Sequence, residues 1–258
     1  MRVRFLVTGT SFGVPVIGCN CPVCRSDDLR DKRTRHSLII ESGGTRLLVD
    51  TPPELRLQLV KEGIDSIDAV FLSHEHADHT HGLDDLRIFS GGGREPLPFY
   101  VAQEFEKELK QRFDYIWGEG EQTQPGSVVP DLDMITFVDG EPISPAGFEV
   151  IPIAFPHGVY RSYGFRAGAL GVIIDGKSVT PDAAKMFSGI EVLIINALWF
   201  GDPHPGHFSI EEAVKVSRWL GASRTYLTHI AHRATHVEIE AGVPSGVSPA
   251  YDGLVIDL

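Results

Sequence analysis

The chain has 258 residues, 42% of them hydrophobic, with 35 acidic against 23 basic residues and a formal charge of -12. That length and apolar fraction suffice to bury one large core, so a single domain over 1–258 is expected. The acidic balance repels phosphate polymers and anionic surfaces, which disfavours a nucleic-acid or membrane partner, and a small-molecule substrate is expected. The start, MRVRFLVTGTSFG, breaks at Thr8 and Gly9 after an apolar run too short for a signal segment or a membrane span, so the expected location is cytoplasmic. A homodimer is compatible with this reading.

Along the chain, VRFLVT, SLIIE, RLLVD, DAVFLS, PFYVA, FEVIPIAF, LGVII, EVLIIN, RTYLT and GLVID are short β-branched runs bounded by small or polar residues, and they read as strands. Helical patterns fall between them at Pro53 to Glu62, Gln103 to Phe113, Pro181 to Phe187 and Ser209 to Leu220. The last is the clearest, with Ser209 as N-cap and Glu212 at the capping-box position. The mixture implies a layered α/β fold. Residues 117–130 are rich in Gly, Pro and polar side chains without periodicity, and read as a long surface loop that could serve as a lid. No internal repeat is evident.

All three cysteines, Cys19, Cys21 and Cys24, lie in GCNCPVC. They cannot make a paired disulfide framework, and their spacing suits a thiolate metal site that needs a fourth ligand. The strongest signal is FLSHEHADHTHG, directly after a strand-like run. A strand end followed by a loop can fan His74, His76, Asp78 and His79 around one point, whereas a helix would scatter some of them. Such a donor set suits zinc, manganese, iron or nickel. His81 lies just outside the pattern.

The His-x-His-x-Asp-His motif resembles the signature of the metallo-β-lactamase superfamily. The resemblance implies a four-layer αββα sandwich, two sheets face to face with helices outside and metals at one edge. It makes His157 in FEVIPIAFPHG the next ligand and His229 in RTYLTHIAH the last. Both Asp175 and Asp182 are available for the bridging carboxylate. Asp175 ends an apolar strand run, where the family places the bridge, and Asp182 falls in the first turn of a helix, where an acid simply favours the dipole, so Asp175 is the choice. Ile174 and Gly176 beside it depart from the residues usual in the family.

Within the superfamily the chain is most similar to the subgroup of the phosphodiesterase of the bacterial carbon-phosphorus lyase pathway, from TGTSFGVPVIGCNCPVC through HEHADH, PHPGHFS and LTHIAH to YDGLVI. There the resemblance implies a structural Zn2+ held in a loop at 18–25 by Cys19, Cys21 and Cys24, with His232 as the fourth ligand. His74, His76 and His157 would hold one catalytic cation, Asp78, His79 and His229 a second, and Asp175 would bridge them. The two divalent metals, Zn2+, Mn2+, Fe2+ or Ni2+, would activate a shared water, with Asp78 in the catalytic set and His207 as general acid. The implied activity is hydrolysis of a small, linear or cyclic, phosphodiester. A reading from another class is a non-catalytic metal-binding or carrier protein, like the pyrroloquinoline-quinone biosynthesis protein of the same subgroup.

Overall fold

The computed structural model describes residues 1–118 and 126–258. Residues 119–125, the middle of the loop expected over 117–130, lie outside the described residues, and with them the lid reading. Strands are β1 (Arg2–Val7), β2 (Ser37–Ser42), β3 (Thr45–Val49), β4 (Ala69–Phe71), β5 (Leu97–Ala102), β6 (Leu132–Phe137), β7 (Ile151–His157), β8 (Tyr160–Ala167), β9 (Leu170–Ile173), β10 (Val192–Asn196), β11 (Arg224–Thr228), β12 (Val247–Pro249) and β13 (Val255–Asp257). They form two sheets, ordered β13-β1-β2-β3-β4-β5-β6 and β12-β11-β10-β9-β8-β7.

Each expected strand run falls on one of these strands, while β6, β8 and β12 were not anticipated. In β8 the buried positions include Ser162 and Gly164, which breaks the apolar pattern. Gly164 is required there, because a Cβ would meet the Val172 carbonyl oxygen at 2.1 Å.

The sheets carry the same plan twice. From β2 to β6 one antiparallel pairing is followed by three parallel ones, and from β8 to β12 the pattern is identical. Ser37 Oγ donates to the carbonyls of Val49 and Asp50 at 3.0 and 3.1 Å, and Ser162 Oγ donates to those of Ile174 and Asp175 at 2.8 and 3.0 Å. A structural repeat is therefore present where no repeat is legible in the residues.

The main core lies between the sheets. Phe71 of β4 stacks on Phe137 at 5.1 Å and meets Phe165 of the facing sheet edge-on at 5.0 Å. Truncating that ring to alanine would cost about 3–5 kcal/mol. Helices Leu55–Glu62 and Glu106–Arg112 bury Leu55, Leu59 and Leu109 against the first sheet. A second core sits between the other sheet and helices Pro181–Met186, Ile210–Leu220 and His236–Gly242. The result is the four-layer αββα sandwich, with helices on both outer faces.

Capping chemistry sets the helix ends. Ser209 Oγ accepts from Glu212 N at 3.2 Å, Glu212 Oε2 accepts from Ser209 N at 2.8 Å, and Gly221 ends the helix with a φ of 75°. Thr235 and Glu238 form the same box ahead of His236–Gly242. That Thr-x-x-Glu pattern is a local signature of a helix start, legible in the residues themselves. No helix among the described residues is long and apolar enough to cross a membrane.

Candidate metal centre

The strand ends carry the donors. His74 follows β4, His157 ends β7, Asp175 follows β9 and His229 follows β11. Asp50, Asp175 and His229 have positive φ values of 63°, 52° and 57°. Left-handed backbone is uncommon outside glycine, and three such residues around one point mark a site where geometry outweighs local strain. The motif itself is not all loop, as the sequence suggested. Residues Ala77–Thr80 form a single helical turn, which carries Asp78 and His79, with His76 at its N-cap. One turn is too short to scatter them.

Asp175 is at the centre. Its Oδ1 lies 3.0 Å from His229 Nδ1 and 3.8 Å from His207 Nδ1. Its Oδ2 lies 3.4 Å from His79 Nε2, 3.6 Å from His74 Nε2 and 3.9 Å from His157 Nε2. Asp78 Oδ2 is 3.3 Å from His79 Nε2. Donor atoms of His74, His76 and His157 form a further cluster within 4.8 Å, and so do those of His157, Asp175 and His207. Asp182 is elsewhere, with its side chain 84% exposed and paired to Lys185 at 2.7 Å. His81 is exposed, its ring 6.1 Å from that of Phe113.

The donor set fits divalent cations. His74 Nε2, His79 Nε2, Asp175 Oδ1, His207 Nδ1 and His229 Nδ1 are buried without a hydrogen-bond partner among the described residues. Each such atom costs about 1–3 kcal/mol if left unsatisfied. Several converging on one point fit a cation that accepts lone pairs from all of them.

The ring nitrogens pointing away from the centre are held. His157 Nδ1–H donates to the Gly206 carbonyl at 2.8 Å, which leaves Nε2 as the free lone pair. His79 Nδ1 lies 2.7 Å from Asp50 Oδ2, and Asp50 also accepts from Ser73 N and Ser73 Oγ at 2.8 Å each. His36, fully buried, stacks 6.2 Å from the His79 ring. Sequence reasoning passed over Asp50 and His36. The signal for Asp50 was present, an acid ending the strand run RLLVD just as Asp175 follows LGVII.

Charge is balanced inside the cluster. Burial pushes the Asp175 carboxyl up, but His229, His207 and His79 together hold it well below the usual carboxylate range. Burial disfavours the His79 cation, yet Asp78, Asp50 and Asp175 raise its pKa well above the usual value. Burial lowers His229 to about 4 and His207 to about 3 against the attraction of Asp175. A histidine kept neutral presents the lone pair that a metal needs.

The cysteine loop closes on the other segment. His232 Nδ1 lies 3.5, 3.4 and 3.5 Å from the sulfurs of Cys19, Cys21 and Cys24. Tetrahedral zinc with ordinary bond lengths separates N and S by about 3.5 Å, so the four donors fit a closed zinc site. The sulfurs are further held by backbone N–H groups, Cys24 N to Cys21 Sγ and Val16 N to Cys24 Sγ, both at 3.4 Å.

Fold and gathered donors define the class, a metal-dependent hydrolase of metallo-β-lactamase architecture. The chain belongs to the β-lactamase superfamily, whose domain pattern matches residues 45–230. The three cysteines and His232 lie outside that match. The crystal structure of a new diphosphatase from the PhnP family superposes with a TM-score of 0.89 at 36% identity, covering 100% of this chain and 97% of that one. The Zn(2+)-bound PqqB from Methylobacterium extorquens shares the fold, with a TM-score of 0.81 at 22% identity and full coverage of both chains, 100% and 100%. An octanoyltransferase of Porphyromonas gingivalis is 36% identical over 98% of this chain but only 51% of its own length, so this chain spans about half of that curated relative.

Proposed function

We infer that this chain hydrolyses a small phosphodiester, linear or cyclic. The reading is carried by one observation, the convergence of buried, unpartnered imidazole nitrogens and a carboxylate oxygen on Asp175, with His207 beside them. Similarity to a PhnP-family diphosphatase across the whole chain supports it. The octanoyltransferase name is that of a longer protein of which this chain matches 51%.

In this reading His74, His76 and His157 would hold one divalent cation, Asp78, His79 and His229 would hold the other, and Asp175 would be shared between them. Bound there, the cations supply Lewis-acid charge against phosphoryl oxygens and an activated water. Asp50 fixes the tautomer and orientation of His79, and the Gly206 carbonyl does the same for His157. His207 is the proton donor to the leaving oxygen. Burial lowers its pKa to about 3 against the attraction of Asp175, and an anionic phosphoryl group bound beside it would favour the protonated ring. The closed site of Cys19, Cys21, Cys24 and His232 holds structural zinc. The formal charge of -12 favours a small substrate over a polymer.

The test is hydrolysis of bis(p-nitrophenyl) phosphate by manganese-loaded protein, alongside a panel of cyclic and linear phosphodiesters and an RNA oligonucleotide. Metal-dependent turnover of the small esters supports the reading. Preference for the oligonucleotide would move the substrate class to nucleic acid, and full metal loading without turnover of anything in the panel would favour a non-catalytic role.

A further inference from the structure

Asp50 and Asp175 occupy matching places in the two halves of the sandwich. Asp50 follows β3 and Asp175 follows β9, with left-handed backbone at φ 63° and 52°, and a serine hydroxyl, Ser37 or Ser162, donates to the carbonyl of each. The next residues, Thr51 and Gly176, are both buried. Their backbone N–H and C=O groups lie beyond the strand ladders, so each needs a partner from elsewhere.

In the first half the main chain provides both partners. Thr51 N donates to the His79 carbonyl and Gly82 N donates to the Thr51 carbonyl, each at 2.8 Å. The second half uses a side chain instead. Gly176 N donates to Asn196 Oδ1 at 2.8 Å, and Asn196 Nδ2 donates to the Gly176 carbonyl at 3.1 Å. Asn196 ends β10 and is fully buried. Continuing the β9–β10 register by one residue puts it opposite Ile174, the place that Phe71 of β4 holds opposite Val49. A primary amide carries an acceptor and a donor on one plane, so this single side chain replaces the two backbone groups of the first half.

Packing leaves little freedom around that clamp. A Cβ at position 176 would meet Ile173 Cγ2 at 2.9 Å and atoms of Phe155 and Phe208 at 3.4 Å. Lys177 N donates to the Pro156 carbonyl at 2.9 Å, one residue from His157. Asp175 is therefore gripped through Ser162 on its own carbonyl and through Asn196 on the residue after it, and its left-handed backbone persists because both sides are held.

We propose that Asn196 is a positioning residue for Asp175, holding the strained backbone that aims the shared carboxylate. The proposal rests on the metal-sharing role given to Asp175 in the phosphodiesterase reading. Asp175 Oδ1 faces His229 and His207, and Oδ2 faces His79, His74 and His157. That division of neighbours depends on the backbone angle at 175, and Asn196 is the side chain that fixes the peptide beyond it.

The experiment loads the full-length chain with manganese and follows it by titration and electron paramagnetic resonance, because two manganese ions sharing a carboxylate give an exchange-coupled signal that an isolated ion does not. Asn196→Leu keeps the shape and removes both hydrogen bonds. It should weaken the exchangeable metals by about tenfold or more and replace the coupled signal with that of isolated ions, while the zinc of the cysteine site is retained. Asn196→Ser is neutral but too short to span both groups, and should give the same result where the leucine variant does not fold. Thr225→Val is the control for lost stability alone. It breaks the buried Ser217–Thr225 hydroxyl pair, 2.6 Å apart, and should leave affinity and coupling unchanged. Affinity and coupling kept in a folded Asn196 variant, an equal loss in Thr225→Val, or a native chain that binds manganese without coupling overturns the proposal. A coupled native signal that the Asn196 variants lose, without turnover of any phosphodiester, upholds the clamp and overturns the phosphodiesterase reading instead.

Discussion

Asp50 Oδ2 lies 2.7 Å from His79 Nδ1, and both side chains are fully buried. With Ser73 supplying two further hydrogen bonds, this carboxylate fixes which His79 nitrogen faces Asp175. Asp50→Asn should therefore weaken one exchangeable metal by about 10–100-fold while the fold is kept, as is usual when a carboxylate behind a ligating histidine is lost. Metal titration followed by elemental analysis measures it. Unaltered affinity would remove His79 from the ligand set or Asp50 from its support.

The two acids considered for the bridge should separate cleanly. Asp175→Ala is expected to lower occupancy of both exchangeable metals and to abolish turnover, because five histidines lie within 4 Å of its oxygens. Asp182→Ala should leave occupancy and turnover as they were and cost at most about 1 kcal/mol of stability, since its carboxylate is exposed, meets only Lys185 and favours the helix dipole. Metal loss in the second variant would move the bridge.

His229 and His232 are three residues apart and should fail differently. His229→Ala should stay soluble and lose turnover with exchangeable metal. His232→Ala should release the zinc and lower the melting temperature by about 2–4 °C for each kcal/mol lost, because the N-terminal loop loses its tie to the C-terminal segment. Calorimetric scans with zinc analysis compare them. Matching, purely catalytic defects would undo the assignment of the fourth ligand.

The proton donor is tested by leaving group. His207→Ala should slow an alkyl phosphodiester by on the order of a hundredfold and a nitrophenyl ester far less, since nitrophenolate needs little protonation. His207 also falls in a donor cluster with His157 and Asp175, so metal content must be measured in the same samples. Equal losses on both substrates together with lost metal would make His207 a ligand.

The thiols should differ in reactivity once zinc is stripped. Hydrogen bonding from Cys24 N, then His232, lowers the Cys21 pKa to about 6, whereas burial raises Cys24 to about 11. Above pH 6 Cys21 is mostly thiolate, and it reverts to the slower thiol as pH falls below that value, while Cys24 stays a thiol throughout the neutral range. Iodoacetamide at neutral pH should label Cys21 well before Cys24, read by peptide mass spectrometry, and added zinc should protect both. Faster labelling of Cys24 would contradict this.

Much was determined by the sequence alone, because the signals are local. Short β-branched runs bounded by small or polar residues marked most strands, Ser209 and Glu212 marked a helix start, and His-x-His-x-Asp-His placed four donors within six residues. The tertiary structure decided whatever depends on distant partners. Asp50 supports a histidine 29 positions away, and only the parallel pairing of β3 with β4 brings them together. The choice between Asp175 and Asp182 becomes a difference between a buried, multiply contacted carboxylate and an exposed one, which two apolar-flanked acids in a sequence cannot express. β8 was hidden because its buried face uses Ser162 and Gly164, selected for a hydrogen bond and for close backbone approach rather than for apolar area. Residue type fixes what a side chain can do, but packing across the whole chain fixes which other side chains it can reach.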